Sequence, residues 1–178
     1  MATLITDTLS PKPITPDLFE KILSAGATLI LVVALTAIVK GRSEWGQLPV
    51  SLWGHIATIC IALGLTPVML LRKRGDRLHR QLGWIWVTAM FLTALVSLNV
   101  RMINRGGFSL IHILSIWTII QVPILAWAAK THRIARHRSS VRAMVLGALL
   151  IAGFFTFPFN RMLGHWLFET NAPYVIAG

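Results

Sequence analysis

Apolar residues in this chain come in five runs close to twenty residues long, and that length constrains the fold more than any other feature. A helix of about 20 residues crosses the roughly 30 Å hydrocarbon core of a bilayer. Helices of a soluble bundle would show polar side chains recurring at helical spacing, and these runs have no such stripe. Charged residues make up 13% of the chain, against about a quarter in a typical soluble domain. The expected spans are residues 22–39, 52–71, 82–100, 108–129 and 141–159. The fold class is therefore all-α, an integral membrane bundle of five transmembrane helices. A single membrane domain covers 1–178, with 1–21 an amino-terminal tail and 160–178 a tail on the opposite side. Pro67, Pro123 and Pro158 fall late in the second, fourth and fifth spans, where neighbouring helices accommodate a local kink.

The formal charge is +11, and the cations are concentrated between the apolar runs. Arg72, Lys73, Arg74, Arg77 and Arg80 follow the second span. Lys130, Arg133, Arg136, Arg138 and Arg142 surround the start of the fifth. The loops on the other side hold only Lys40, Arg42, Arg101 and Arg105. Positive loops stay on the cytoplasmic side, so the amino terminus is expected inside and the carboxyl terminus outside. Trp45, Trp53 and Trp166 suit an outer interfacial belt, and Trp84, Trp86 and Trp127 an inner one. Cations in this position contact lipid phosphates; nucleic acid is not expected, for want of a polar docking surface. Cys60, alone and mid-helix, reads as a small hydrophobe and excludes a disulfide framework or a CxxC metal motif. The amino-terminal segment has no basic stretch ahead of an apolar core and does not read as a cleavable signal.

The two basic loops belong to an internal repeat. HIATICIALGLTPVMLL leads to LHR, and HILSIWTIIQVPILAWA leads to RHR. His79 follows His55 by 24 residues and His137 follows His112 by 25, while Pro67 and Pro123 follow the same histidines by 12 and 11. Two helical hairpins, spans two to three and four to five, thus share one plan: outer histidine, proline, basic loop, inner histidine. Membrane repeats of this kind usually place a site on their pseudo-symmetry axis.

Apart from Arg142 in the first turn of the fifth, the expected spans contain no Asp, Glu, Lys or Arg, and Gln121 and Asn99 are their largest neutral polar groups. A carboxylate proton relay or an ion pump needs such charges at depth, so neither is expected. Paired-carboxylate hydrolysis, a Ser-His-Asp arrangement and a dinucleotide-binding glycine motif are excluded as well. His55 and His112 would each lie about 5 Å below the outer boundary at 1.5 Å per residue. Imidazoles at equal depth on facing helices suit the two axial positions of a haem iron. His79 and His137 share the inner depth, flanked by arginines of which Arg80 and Arg138 are candidate partners for haem propionates. The plainer alternative is that each imidazole hydrogen-bonds across helices and each His-Arg pair meets lipid headgroups or a helix end. His132 and His165 have no repeat partner and are expected in a loop and in the tail.

The stretches HIATICIALGLTPVMLLRKRGDRLHRQLG, GGFSLIHILSIWTII, RHRSSVRAM and AGFFTFPFNRMLG resemble the DUF2306 family of uncharacterised bacterial membrane proteins, over residues 54–161. The resemblance implies a bacterial inner (cytoplasmic) membrane. The chain departs from the family pattern at Trp84 and Trp86, after LHRQLG, and at Ser139, after RHR; each removes a polar group from the inner side. The four-histidine layout is also similar to that of cytochrome b561-like di-haem membrane proteins. That likeness implies iron ligation by His55 with His112 and by His79 with His137.

Three functional readings remain open at this point. A b-type haem protein would pass electrons between quinol and a partner protein, or handle haem. A non-catalytic accessory or assembly subunit would pack against a larger respiratory or photosynthetic membrane complex, through small-residue faces such as Ser24, Gly26 and Ala27 or Gly147, Ala148 and Gly153. A quinone or lipid pocket would use His112 and Gln121 as polar contacts. The lipid bilayer is a partner in all three.

Overall fold

The computed structural model of the chain describes residues 15–99, 110–158 and 161–168. Among the described residues the regular structure is all helical, with no strand. The first helix, α1 (Leu18–Lys40), starts on a reciprocal cap: Asp17 accepts the backbone N–H of Glu20 at 3.0 Å, and Glu20 accepts that of Asp17 at 3.2 Å. Such a box satisfies two of the donors that every helix start leaves open. It begins the helix before the expected position 22, so the end of the expected tail is helix. A 3-10 turn (Gly41–Gln47) leads to α2 (Val50–Leu71). Asp76 then accepts the backbone N–H of His79 at 2.7 Å and opens α3 (Arg77–Asn99), which is why this helix too begins earlier than expected. Next come α4 (Leu110–Lys130), α5 (Ile134–Met144), a π-helical stretch (Val145–Ile151), α6 (Ala152–Phe154) and α7 (Met162–Phe168).

Among the described residues, four helices are long and apolar enough to cross a membrane: α1 with its 3-10 extension, α2, α3 and α4. Pro67 and Pro123 lie inside α2 and α4 as expected. The expected fifth span has no unbroken α-helix. Its residues are divided among α5, the π stretch and α6, and Pro158 stands beyond the last helical residue, in a turn. A π stretch bonds each N–H one residue further back than an α-helix does, so α-helical periodicity stops at Met144.

Packing closes the helices into a ring. α1 lies on α2, α2 on α3, α3 on α4 and α4 on α5, and the π stretch returns to touch α1. Leu23, Ala27, Leu63, Met90, Leu125, Met144 and Leu149 fill the centre. Small side chains permit the final closure: Gly26 sits against Leu150 and Gly153 against Ile30, while Ala27 and Ser24 are buried. The small-residue faces expected to receive another protein are therefore used inside this one, since they let two backbones approach closely. Leu29, Val32, Leu35 and Val39 point outward from α1, a surface suited to lipid tails.

At the end away from the basic loops, α7 folds back onto α1. Trp166 is 3% exposed, and its Nε1 donates to Glu44 at 2.8 Å; Lys40 Nζ donates to the Leu167 carbonyl at 2.5 Å. The missing side chain of Gly41 leaves the room that the Trp166 indole occupies. Two tryptophans expected in lipid-facing belts are thus core residues. Trp166 packs here, and Trp86 is buried with its Nε1 donated to Thr66 at 3.0 Å. Trp84 and Trp127 remain exposed, with Lys130 and Arg133 over their rings at 5.2 and 4.4 Å. His165, expected in the tail, is a buried residue of α7, while His132 is an exposed turn residue with φ 55°.

Candidate functional site

Both basic loops converge on one carboxylate. Glu20, only 1% exposed, accepts Arg74 Nη2 at 2.5 Å from the α2–α3 loop. It also accepts Arg138 Nε and Nη2 from α5, at 2.7 and 3.0 Å. Arg142, one turn further, donates Nε to Glu20 at 3.2 Å and pairs through Nη2 with Asp17. Arg138 reaches Asp17 as well, at 3.2 Å. A carboxylate withdrawn from water is tolerated when cations and hydrogen bonds surround it. The forked Arg138 contact is the strong, directional kind. The Glu20 backbone N–H holds the Asp17 carboxyl below its ordinary value, aided by Arg142 and opposed by burial.

None of this was expected, because Asp17 and Glu20 fell in the tail. The signal was present as an Asp-x-x-Glu pattern immediately before an apolar run, which is how a capping box is written in sequence.

The inner histidines meet at the same end. His79 lies in the first turn of α3 and His137 in the first turn of α5, each after a loop that reverses at a left-handed residue, Gly75 with φ 82° or His132 with φ 55°. His79 is within electrostatic range of His137, Arg74 and Arg72. His137 Nδ1 lies 3.3 Å from the Leu125 carbonyl oxygen. A carbonyl only accepts, so Nδ1 carries the proton and Nε2 keeps the lone pair of the neutral ring. Burial holds this imidazole below its ordinary value, with the Leu125 carbonyl acting the other way and Arg74 adding to the depression. The arginines expected beside these histidines are engaged elsewhere. Arg138 is bound by Glu20 and Asp17, and Arg80 donates to the Gly75 carbonyl at 3.2 Å on the surface. Arg72 and Arg74 are in electrostatic range of His79.

The outer histidines lie on separate polar features. Along the α2–α3 contact runs a seam of three side-chain hydrogen bonds. The Ser97 hydroxyl lies 2.9 Å from His55 Nδ1, Thr93 donates to Thr58 at 2.7 Å, and Trp86 donates to Thr66 at 3.0 Å. The positions rise on α2 as they fall on α3, the register of an antiparallel hairpin. On α4, His112 is 2% exposed and Ser115 and Thr118 are buried beneath it, with Gln121 one further step along. Steps of three residues turn the face by about 60° each, so His112, Ser115 and Thr118 stay within one inward arc, while half-buried Gln121 falls on the side opposite His112. Asn99, the other large polar group of the expected spans, has a side chain outside the described residues. Cys60 packs against the apolar cluster of Ile38, Ile56 and Trp166, as a small hydrophobe does.

Fold and contacts together define a helical membrane protein whose charged end is gathered on a buried glutamate. No family model, no curated protein and no solved structure matches the chain.

Proposed function

We propose that the chain is a b-type haem membrane protein of the bacterial inner membrane. In this reading it has five spans arranged as two repeated hairpins, with the amino terminus cytoplasmic. The observation that carries the reading is the His137 ring, held at Nδ1 by the Leu125 carbonyl with Nε2 left as the basic nitrogen. Metal-binding histidines are commonly oriented in this way. His79 is in electrostatic range of it and would supply the second imidazole that a bis-imidazole haem needs. The matching first-turn positions of His79 and His137, each after a left-handed loop residue, support the repeat. His79 and His137 would hold the inner haem and His55 and His112 an outer one. Bound haem supplies one-electron transfer, with quinol on one side and a protein partner on the other. Arg72 and Arg74, in electrostatic range of His79, would be the cations beside the inner pair, since Arg138 is engaged by Glu20 and Asp17 and Arg80 by the Gly75 carbonyl.

The test is a reduced-minus-oxidised absorption spectrum of the purified protein. A b-type alpha band is expected, diminished in His137→Ala and in His79→Ala and retained in Arg80→Gln. A colourless, iron-free preparation from haem-replete cells ends the reading.

A second reading, an accessory subunit of a larger membrane complex, is favoured by the saturation of Arg138 and Arg142. These cations brace α1 against α5 and hold the inner end as a rigid scaffold. Its docking face would then be the outward apolar side of α1. Fixed-stoichiometry co-purification with a large assembly supports it, and migration as a lone monomer in mild detergent counts against it.

A further inference from the structure

Nε of Arg72, Nη1 of Arg74 and Nδ1 of His79 are buried and have no hydrogen-bond partner among the described residues. All three belong to the α2–α3 loop and the first turn of α3. Buried polar atoms almost always find partners, because an unmet donor carries its full desolvation cost. The other edges of the two guanidiniums are satisfied. Arg72 Nη2 donates to Asp76 at 2.7 Å, and Arg74 Nη2 to Glu20 at 2.5 Å and to the Leu70 carbonyl at 3.1 Å. Each arginine thus turns one edge to a carboxylate and keeps a second donor without an acceptor.

Charge points the same way. Arg72, Arg74, Arg138 and Arg142 face only Asp17, Glu20 and Asp76, which leaves one positive charge uncompensated in the network. Lys73 and Arg77, both exposed, stand beside it. A phosphate group is an anion with several acceptor oxygens, and it matches guanidinium donors in both geometry and charge. The loop joins two apolar helices, at the level where phospholipid headgroups lie.

We propose that Arg72, Arg74 and His79 form a phosphate-binding site at the charged end of the bundle, taking the phosphate of an anionic phospholipid or inorganic phosphate. The site does not rest on the haem reading, since its donors are guanidinium nitrogens and Nδ1, and an iron would use Nε2.

Native mass spectrometry of the purified full chain in mild detergent tests it, with phosphatidic acid, phosphatidylcholine or inorganic phosphate added. Phosphatidic acid is expected to be retained in preference to phosphatidylcholine, and about tenfold more weakly by Arg72→Gln. Asp76→Asn breaks the same ion pair but leaves the Arg72 donors in place, so it should retain the lipid like the parent chain. Arg72→Lys keeps the charge and the Asp76 partner without Nε, and serves if the glutamine variant does not fold. Binding of inorganic phosphate with the same dependence on Arg72 assigns the site to the free anion. The proposal is overturned if Arg72→Gln and the parent retain phosphatidic acid equally while neither binds phosphate, or if Asp76→Asn loses the lipid as Arg72→Gln does. The result is read with or without visible absorption, so failure of the haem reading leaves it standing.

Discussion

Glu20 is the residue on which the charged end depends. Replacing it with Gln leaves three guanidiniums crowded around a neutral amide, and removing one partner of a buried ion pair costs about 3–5 kcal/mol. Thermal unfolding in detergent should show that loss for Glu20→Gln. Asp17→Asn should cost much less than Glu20→Gln, since its pairs lie at an exposed carboxylate. The exposed carboxylates add to acid sensitivity. The His79 backbone N–H, with Arg72, holds the Asp76 carboxyl below its ordinary value against burial, and Asp17 is likewise depressed. As pH falls the unfolded chain takes up these protons first. The stability they contribute is complete above about pH 4 and is lost below it. Asp76→Asn, which can still cap α3, should flatten part of that acid decline in a pH series of unfolding curves. Glu20 was legible in sequence only as half of a capping pattern. Neighbouring Asp17 and Lys21 push a hydropathy boundary inward, so a charge paired within the fold reads like a charge in water.

Among the elements, α2 and α3 are joined by polar contacts that periodicity does not reveal. Thr58, Thr66, Thr93 and Ser97 are too weakly polar to interrupt an apolar run in a hydropathy sum, yet together with His55 and Trp86 they set the register of the hairpin. A double-mutant cycle with Thr66→Val and Trp86→Phe should give a coupling of about 0.6 kcal/mol, the usual size for a hydrogen bond between membrane helices. The four long helices were readable because length and composition determine them. The π stretch was not, because VLGALLI is equally apolar in either winding and contains no proline to mark a break. The docking of α7 was hidden for a related reason. Its position rests on the space left by Gly41, and Gly41→Ala would drive Cβ into the Trp166 indole. That overpacking should cost about 1–3 kcal/mol and increase proteolytic cleavage near α7.

At the scale of the whole molecule, the start of α1, the α2–α3 loop and the start of α5 share one end, and the Gly41–Gln47 turn and α7 share the other. Single cysteines in a Cys60→Ser background should report this arrangement. Lys73→Cys and Thr131→Cys should react with a membrane-impermeant maleimide from one side of the membrane and Gly46→Cys from the other; with the proposed cytoplasmic amino terminus, the first two require permeabilisation. Reaction of Lys73→Cys and Gly46→Cys from the same side would contradict it. The grouping of the basic loops on one side was legible from charge counts alone, whereas the acid that gathers them was not.

The span of chain between Glu20 and its partners has a consequence for biogenesis. Arg74 follows by 54 residues and Arg138 by 118, so the acid leaves the ribosome long before its cations exist. A chain halted ahead of α5 sets Asp17 and Glu20 against Arg74 alone, without the forked Arg138 contact and the Arg142 pair. Synthesis of α5 is then what completes the ion pairing at the start of α1, so the two ends of the sequence are joined only in the finished chain.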